Sequence, residues 1–196
     1  DVHFPDPSIS ETQEHHIDKP DALQSAFRIG RPLFNKLHPD FLKMQVLNTI
    51  LGGYFGSRLM SNIREDKGYT YGIGSMLQSL KNGGMFVIAS EVGNKVTRPA
   101  IDEVYKEIER LRTELVPDDE LRLVKNYMLG SFLRSADGPF ALAELVKGVV
   151  DFELDMDFYQ RYLNTIKYIT AEEIRDLAVT YLKPDSLVRL IVGKNH

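Results

Sequence analysis

The chain has 196 residues, of which 43% are hydrophobic and 27% charged, and it contains no cysteine. This is the composition of a soluble globular domain large enough to bury a core without staples; it excludes a disulfide frame, a thiolate metal site and a cysteine nucleophile. Its 28 acidic and 24 basic residues are mixed along the chain for a net charge of -4, so no basic stripe offers a footprint for nucleic acid.

Residues 1–13, rich in Pro, Asp and Ser, read as a linker or an extended arm. They lack the charged and apolar regions of a signal peptide, and a start at aspartate reads as a piece excised from something longer. No apolar run is long enough to span a bilayer, so a soluble protein without a membrane partner is expected. The sequence does not choose between cytoplasm and periplasm. A weak extended pattern from Glu14 culminates in a strand over Gln24–Ile29. His38-Pro39-Asp40 opens a helix, because proline suits the first turn and Asp40 favours its positive end. Phe41, Met44, Leu47 and Leu51 give that helix its apolar stripe, and Gly52-Gly53 is expected to end it through positive φ. A short helix from Ser57 to Asp66 follows, and Gly68 turns the chain into a strand holding Tyr69 and Tyr71.

Lys81-Asn82-Gly83-Gly84 separates that strand from another, Met85–Ser90, apolar enough to sit centrally in a sheet. Thr97 and Pro99 start a long surface helix with an inner stripe of Ile101, Val104, Tyr105, Ile108, Leu111 and Leu115. Pro117-Asp118-Asp119-Glu120 opens the next helix, which carries Leu121, Val124, Met128 and Phe132 and breaks at Ala136–Pro139. Helical segments over Phe140–Val150 and Asp157–Tyr168 continue the pattern. Thr170 and Glu173 spell a capping box for the last helix, with Ile174, Leu177, Ala178 and Tyr181 inward. Pro184 stops it, and Leu187–Val192 closes the chain as a buried strand. Strands joined by a short glycine turn pair antiparallel. The order therefore predicts one α+β domain over residues 1–196, an antiparallel sheet with helices packed on one face.

Chemistry is sparse. None of the five histidines precedes a glutamate, so the H-E-x-x-H zinc pattern is absent. Glu11–His15 nearly mimics the inverted form H-x-x-E-H, but glutamate stands where its first histidine belongs; His15 and His16 read as an exposed strand end rather than a metal site. No phosphate loop, nucleophile elbow or dinucleotide fingerprint is present. Gly52, Gly53 and Gly56 follow no strand, and read as a helix stop and a bend or, alternatively, as a mobile lip beside a cavity.

One stretch is more specific. Leu51-Gly52-Gly53, Ser57-Arg58-Leu59, Ile63-Arg64-Glu65, Gly68 and Tyr71, preceded by His38-Pro39-Asp40-Phe41 and followed by Val116–Leu121, resemble the insulinase/pitrilysin family of zinc metallopeptidases from about Gln24 onward. The resemblance implies a metallopeptidase-half fold like that of mitochondrial processing peptidase, one half of a clamshell closing around a peptide. In such enzymes one half carries H-x-x-E-H and the zinc, while the other supplies an arginine and a tyrosine to the substrate side. Without the metal motif, this chain is similar to the zinc-free half, inactive alone and holding no cofactor. The implied partners are a homologous zinc-bearing half, in the same longer chain or a separate subunit, and a peptide substrate. A homodimer of the isolated domain is a further expectation, because its partner-facing surface would be exposed.

Arg64 and Tyr71 match the family's arginine and tyrosine, and Tyr69 is the nearest competitor because strand alternation puts it on the face of Tyr71. Peptide hydrolysis at zinc builds negative charge on the carbonyl oxygen, which a phenol can stabilise, while a guanidinium suits peptide carbonyls or a carboxylate. The bland alternative is that Arg64 pairs with Glu65 or Asp66 and Tyr71 merely packs. Arg58 is expected to brace the fold through buried hydrogen bonds. Two other functional classes stand beside the peptidase half. One is a structural scaffold subunit, like relatives in membrane respiratory complexes, and the other is a stand-alone peptide-binding module.

Overall fold

The computed structural model describes residues 13–194, so the expected arm, His3, Glu11 and His196 lie outside the described residues or, for Gln13, at their edge. A five-stranded sheet carries the domain: β1 (Glu14–Asp18), β2 (Gln24–Leu33), β3 (Thr70–Leu80), β4 (Gly83–Gly93) and β5 (Val188–Gly193), in the order β1-β5-β2-β4-β3. Among the described residues six α-helices accompany it: α1 (Phe41–Asn48), α2 (Thr97–Thr113), α3 (Asp118–Ser135), α4 (Pro139–Val150), α5 (Phe158–Tyr168) and α6 (Ala171–Tyr181). The pairings β2–β4, β2–β5 and β3–β4 are antiparallel, the last as the glycine turn at Lys81–Gly84 predicts. The edge strand β1 runs parallel to β5. The weak extended pattern from Glu14 therefore holds a strand of its own ahead of the expected one, and the closing strand slots between the two.

Alternation decides which face is covered. Phe27, Ile29, Ile73, Phe86, Ile88, Val92 and Ile191 are buried, whereas Met76, Leu80 and Met85 on the other face are exposed. The helices supply the opposite wall: Met44, Leu47 and Leu51 from α1 and its continuation, Ala100, Ile101, Val104, Ile108 and Leu111 from α2, Val124 from α3, and Ile174 and Ala178 from α6. Each such side chain removed from water contributes about 1.5–3 kcal/mol, so one continuous core of this size outweighs any single polar contact. Leu115 departs from the expected stripe: α2 ends at Thr113, and Leu115 is exposed beyond it. β4 sits between β2 and β3, as its apolar run requires.

The two ends of the helical run are joined chemically. Thr170 and Glu173 form the expected capping box at the start of α6, with the Glu173 amide donating to Thr170 Oγ1 (3.2 Å) and the Thr170 amide to Glu173 Oε2 (3.0 Å). Glu173 also accepts from Lys43 Nζ on α1 at 2.7 Å. At the other end of α6 the Tyr181 phenol donates to Asp40 Oδ2 at 2.6 Å. Burial first, and then the hydrogen bond and charge of Asp40, push the Tyr181 phenol up to about 12.

A phenol raised in the folded state lends stability that is whole below about pH 10, the ordinary tyrosine value, and is lost as pH rises toward 12. Wild type should therefore lose melting temperature across that window more steeply than Tyr181→Phe, and the difference in tyrosinate absorbance between the two should titrate near 12. A difference titration centred near 10 would contradict the Asp40 contact.

Candidate functional site

The site begins where α1 meets β3. After Asn48 the helix does not stop but widens into a π-helical winding, Thr49–Gly53, that runs through the glycine pair. The glycines are there for room rather than for positive φ, which among described glycines only Gly68 and Gly138 adopt. A Cβ at Gly52 would lie 2.6 Å from the Ser75 amide nitrogen of β3 and 2.9 Å from Leu59 Cδ1. Asn48 Nδ2 donates to the Ser75 carbonyl and Ser75 Oγ to the Asn48 carbonyl, each at 3.3 Å. The helix end is thereby clamped onto the strand.

Tyr54, Phe55 and Gly56 then turn the chain into a second winding. It begins at Arg58 and is π-helical over Met60–Asp66. Met60 and Ile63 point into the core. Arg58, 8% exposed, forms a side-on pair with Glu120 in the first turn of α3, Nε to Oε1 and Nη2 to Oε2, both at 2.8 Å. Asn62 Nδ2 donates to Glu107 (2.7 Å) and Glu103 (3.1 Å) of α2. The winding is thus tied to two helices, and Arg58 braces the fold as expected. These groups line a polar cleft of about 510 Å³ together with Lys67 and Arg110. Arg58, Glu103, Glu107, Arg110 and Glu120 there all serve ion pairs, and neither Arg64 nor Tyr71 is part of the lining.

Gly68, at φ +66, closes the winding, with the Gly68 amide donating to the Arg64 carbonyl at 3.2 Å. Open space surrounds its missing Cβ, so the positive φ alone calls for glycine. The start of β3 carries a bulge between Thr70, opposite Val92, and Ile73, opposite Ser90. Hydroxyls fill it: Thr70 donates to the Glu91 carbonyl (2.6 Å), the Gly72 amide donates to Thr70 Oγ1 (3.1 Å), and Ser90 Oγ donates to the Gly72 carbonyl (2.9 Å).

The extra residue breaks the alternation and separates the two tyrosines. Tyr69 is half-buried against the core, whereas Tyr71 is 93% exposed. The expectation that they share a face therefore fails. Arg64, partly exposed on the outer side of the winding, lies with its guanidinium carbon 5.7 Å from the Tyr71 ring centre and 4.6 Å from that of Phe55. These are cation–π distances. Among the described residues Arg64 makes no ion pair, so Glu65 and Asp66 do not neutralise it. Phe55, itself 63% exposed, is the site residue that sequence reasoning passed over; its signal was an aromatic set between glycines.

Sequence-predicted Arg64 and Tyr71 are therefore brought together, in the open, as five guanidinium N–H donors and one phenol O–H. Such a pair can hold carbonyl or carboxylate oxygens. Beside it the Tyr54 ring packs on that of Tyr127 of α3, with centres 4.6 Å apart and planes tilted by 31°, and burial, then the nearby Glu120 carboxylate, raises its phenol pKa. His15 and His16 take opposite faces of β1, opposite Leu190 and Ile191, and so do not converge on one ion. Among the described residues no group of three or more His, Asp and Glu side chains is placed to hold a metal.

Residues 2–128 match the family model described as the peptidase M16 inactive domain. The chain belongs to that family. This bears out the resemblance carried by the Leu51–Tyr71 stretch. The chain is 30% identical over 100 residues to "Uncharacterized zinc protease YmxG" of Bacillus subtilis, covering 51% of this chain and 24% of that protein. It is 23% identical over 159 residues to "Probable inactive metalloprotease YmfF" of the same organism, covering 81% and 37% respectively. In fold it is similar to the crystal structure of a peptidase M16 inactive domain from Pseudomonas fluorescens, with a TM-score of 0.90 at 21% identity over 100% of this chain and 47% of that one. The chain thus spans less than half the length of each of these proteins. As an M16 inactive domain it is the non-catalytic, C-terminal type of domain from a zinc protease family.

The two arginines of the winding should separate cleanly in stability. Arg58→Ala strands Glu120 at the foot of α3 and is expected to cost roughly 3 kcal/mol in chemical denaturation. Arg64→Ala leaves its contacts in solvent and should stay within about 0.5 kcal/mol of wild type. Equal losses at the two positions would contradict this division.

Proposed function

We propose that this chain holds an extended peptide substrate for a zinc metallopeptidase, presenting it to a metal site on a homologous half. The observation that carries the reading is the Arg64–Tyr71 pair, two donors side by side on an open surface, the guanidinium within 5.7 Å of the phenol ring and without an acidic partner among the described residues. An arginine built for stability would be paired and buried, as Arg58 is. Membership of the inactive-domain family supports this assignment of roles, in which the metal and its water belong to the other half.

On this reading Tyr71 Oη donates to the carbonyl oxygen of the peptide bond to be cut, where negative charge develops, and Arg64 holds a neighbouring backbone carbonyl. The partner is a zinc-bearing half, in the same longer chain or as a separate subunit. Apolar side chains exposed on α4 (Leu142, Val146 and Val150, spaced one helical turn apart) are surface that such a half, or a second copy in isolation, would cover. Among the described residues no helix is long and apolar enough to cross a membrane.

A second reading, a non-proteolytic scaffold or peptide-binding subunit, draws support from the relative named a probable inactive metalloprotease. Such a role makes no demand on the pair, so kinetics discriminate. With the zinc-bearing half present, Tyr71→Phe should lower kcat about a hundred- to a thousandfold, the range for loss of one donor to a developing oxyanion. Arg64→Ala should lower kcat/KM about tenfold to a hundredfold. Unchanged turnover in both variants discards the peptidase role for these residues.

A further inference from the structure

The loop before α1 carries a cation in among the helices. Asn35 Nδ2 donates to the Leu80 and Lys81 carbonyls at 3.0 Å each, and the Lys36 amide donates to Ser79 Oγ at 3.0 Å, so the loop is pinned to the end of β3 and the turn after it. Lys36 Nζ stands 3.6 Å from where a Gly148 Cβ would lie on α4, and 4.8 Å from the Phe152 ring centre. Among the described residues it makes no ion pair and no side-chain hydrogen bond. Lysines ordinarily keep the ammonium in water. Here partial burial, offset only in part by the charge of Asp151, holds Lys36 below its usual value.

Lys36 lines a cavity of about 210 Å³ whose other walls come from α1, α3 and α5. Those walls are largely rings. Phe132 has its centre 5.7 Å from that of Tyr159 and 5.6 Å from that of Tyr162, and Phe158 lies edge-on to Tyr159 at 5.4 Å. No aspartate or glutamate is among the described lining residues. Two hydroxyls are spent internally, Tyr159 on the Leu145 carbonyl (2.7 Å) and Ser135 on the Phe132 carbonyl (2.8 Å). The Tyr162 phenol, the Gln45 amide and the Ser131 hydroxyl have no hydrogen-bond partner among the described residues. Burial raises the Tyr162 phenol, so it remains a donor. In a packed interior such groups are paired; here they line an open space.

We infer that this cavity binds a small apolar carboxylate, an aryl or arylalkyl acid, with the carboxylate at Lys36 Nζ and the ring against Phe132 and Tyr162. Neither Arg64 nor Tyr71 lines the cavity, so its ligand is independent of the peptide-holding reading. The carboxylate gives the ammonium a charge-assisted hydrogen bond in place of lost hydration, and the guest's ring takes aromatic wall out of water. The space is smaller than the roughly 300 Å³ at which drug-sized sites begin, which limits the guest to one ring and its acid. A free aryl acid and the carboxyl-terminal phenylalanine of a peptide present this same chemistry.

The test is calorimetric titration of the 196-residue chain with 3-phenylpropionate, beside 3-phenylpropionamide, which lacks the charge, and propionate, which lacks the ring. The acid should bind about tenfold or more tightly than either, the worth of one charge-assisted hydrogen bond or one buried ring. Lys36→Met, which keeps the aliphatic stem, should bind acid and amide alike, and Lys36→Arg should restore the preference. Phe132→Ala should erase the preference over propionate. Melting temperatures show whether the variants fold; if Lys36→Met does not, the three ligands on wild type decide. N-acetyl-Ala-Phe with a free carboxyl separates the sources: binding tighter than 3-phenylpropionate assigns the site to a peptide terminus, and weaker binding assigns it to a free acid, both sustaining the carboxylate site. Binding of neither acid, equal affinity of wild type for 3-phenylpropionate and its amide, or an undiminished preference in Lys36→Met would overturn it.

Discussion

The contact between Gly52 and β3 sets the rest in place. With only hydrogen at Gly52, the end of the first helix rests directly on the backbone of Ser75, and Asn48 and Ser75 exchange hydrogen bonds across the contact. Any side chain at Gly52 would push the two elements apart by more than the contact allows. From this fixed point the chain must leave the helix, pass Tyr54, Phe55 and Gly56, wind again and return to the same strand near its start. The short return path puts Phe55, Arg64 and Tyr71 together although they arise from a turn, a helical winding and a strand.

Two arginines on one winding then take different work. Arg58 is drawn inward to Glu120, the acid that the sequence places in the first turn of α3, and fixes the winding's orientation relative to that helix. Asn62 does the same toward α2 through Glu103 and Glu107. With both inner anchors set, the outer side of the winding has one direction left, and Arg64 occupies it. The guanidinium there meets the rings of Phe55 and Tyr71 instead of carboxylates. Preorganisation of this kind is what a substrate-holding half must supply if its partner does the chemistry.

Much of this was legible in the sequence, for identifiable reasons. Apolar spacing located α1, α2, α3 and α6, the Thr170–Glu173 box marked the start of α6, and the glycine turn after Leu80 implied the antiparallel β3–β4 pair. The pairing of Arg64 with Tyr71 came from the family resemblance rather than from periodicity, and the coordinates bring the two together. What escaped was set at long range or by local hydroxyl chemistry. The parallel seat of β1 against β5 joins opposite ends of the chain, and no local pattern encodes it. The bulge that turns Tyr71 outward and Tyr69 inward is filled by Thr70 and Ser90, which a rule of strict alternation ignores. The π-helical windings also went unseen, because apolar residues still recur at roughly helical spacing while the backbone bonds reach one residue further, as from the Lys67 amide to the Asn62 carbonyl at 3.0 Å. Phe55 was overlooked because its company is spatial.

The central claim is that the patch around Tyr71 touches the peptide, and photocrosslinking reports that directly. A benzophenone amino acid at position 71, irradiated with the zinc-bearing half and a labelled peptide present, should form an adduct that excess unlabelled peptide abolishes. The same group at Leu133, also exposed but on α3 away from the winding, should form none. Equal labelling at the two positions, or an adduct at 71 that competing peptide leaves intact, would contradict the account.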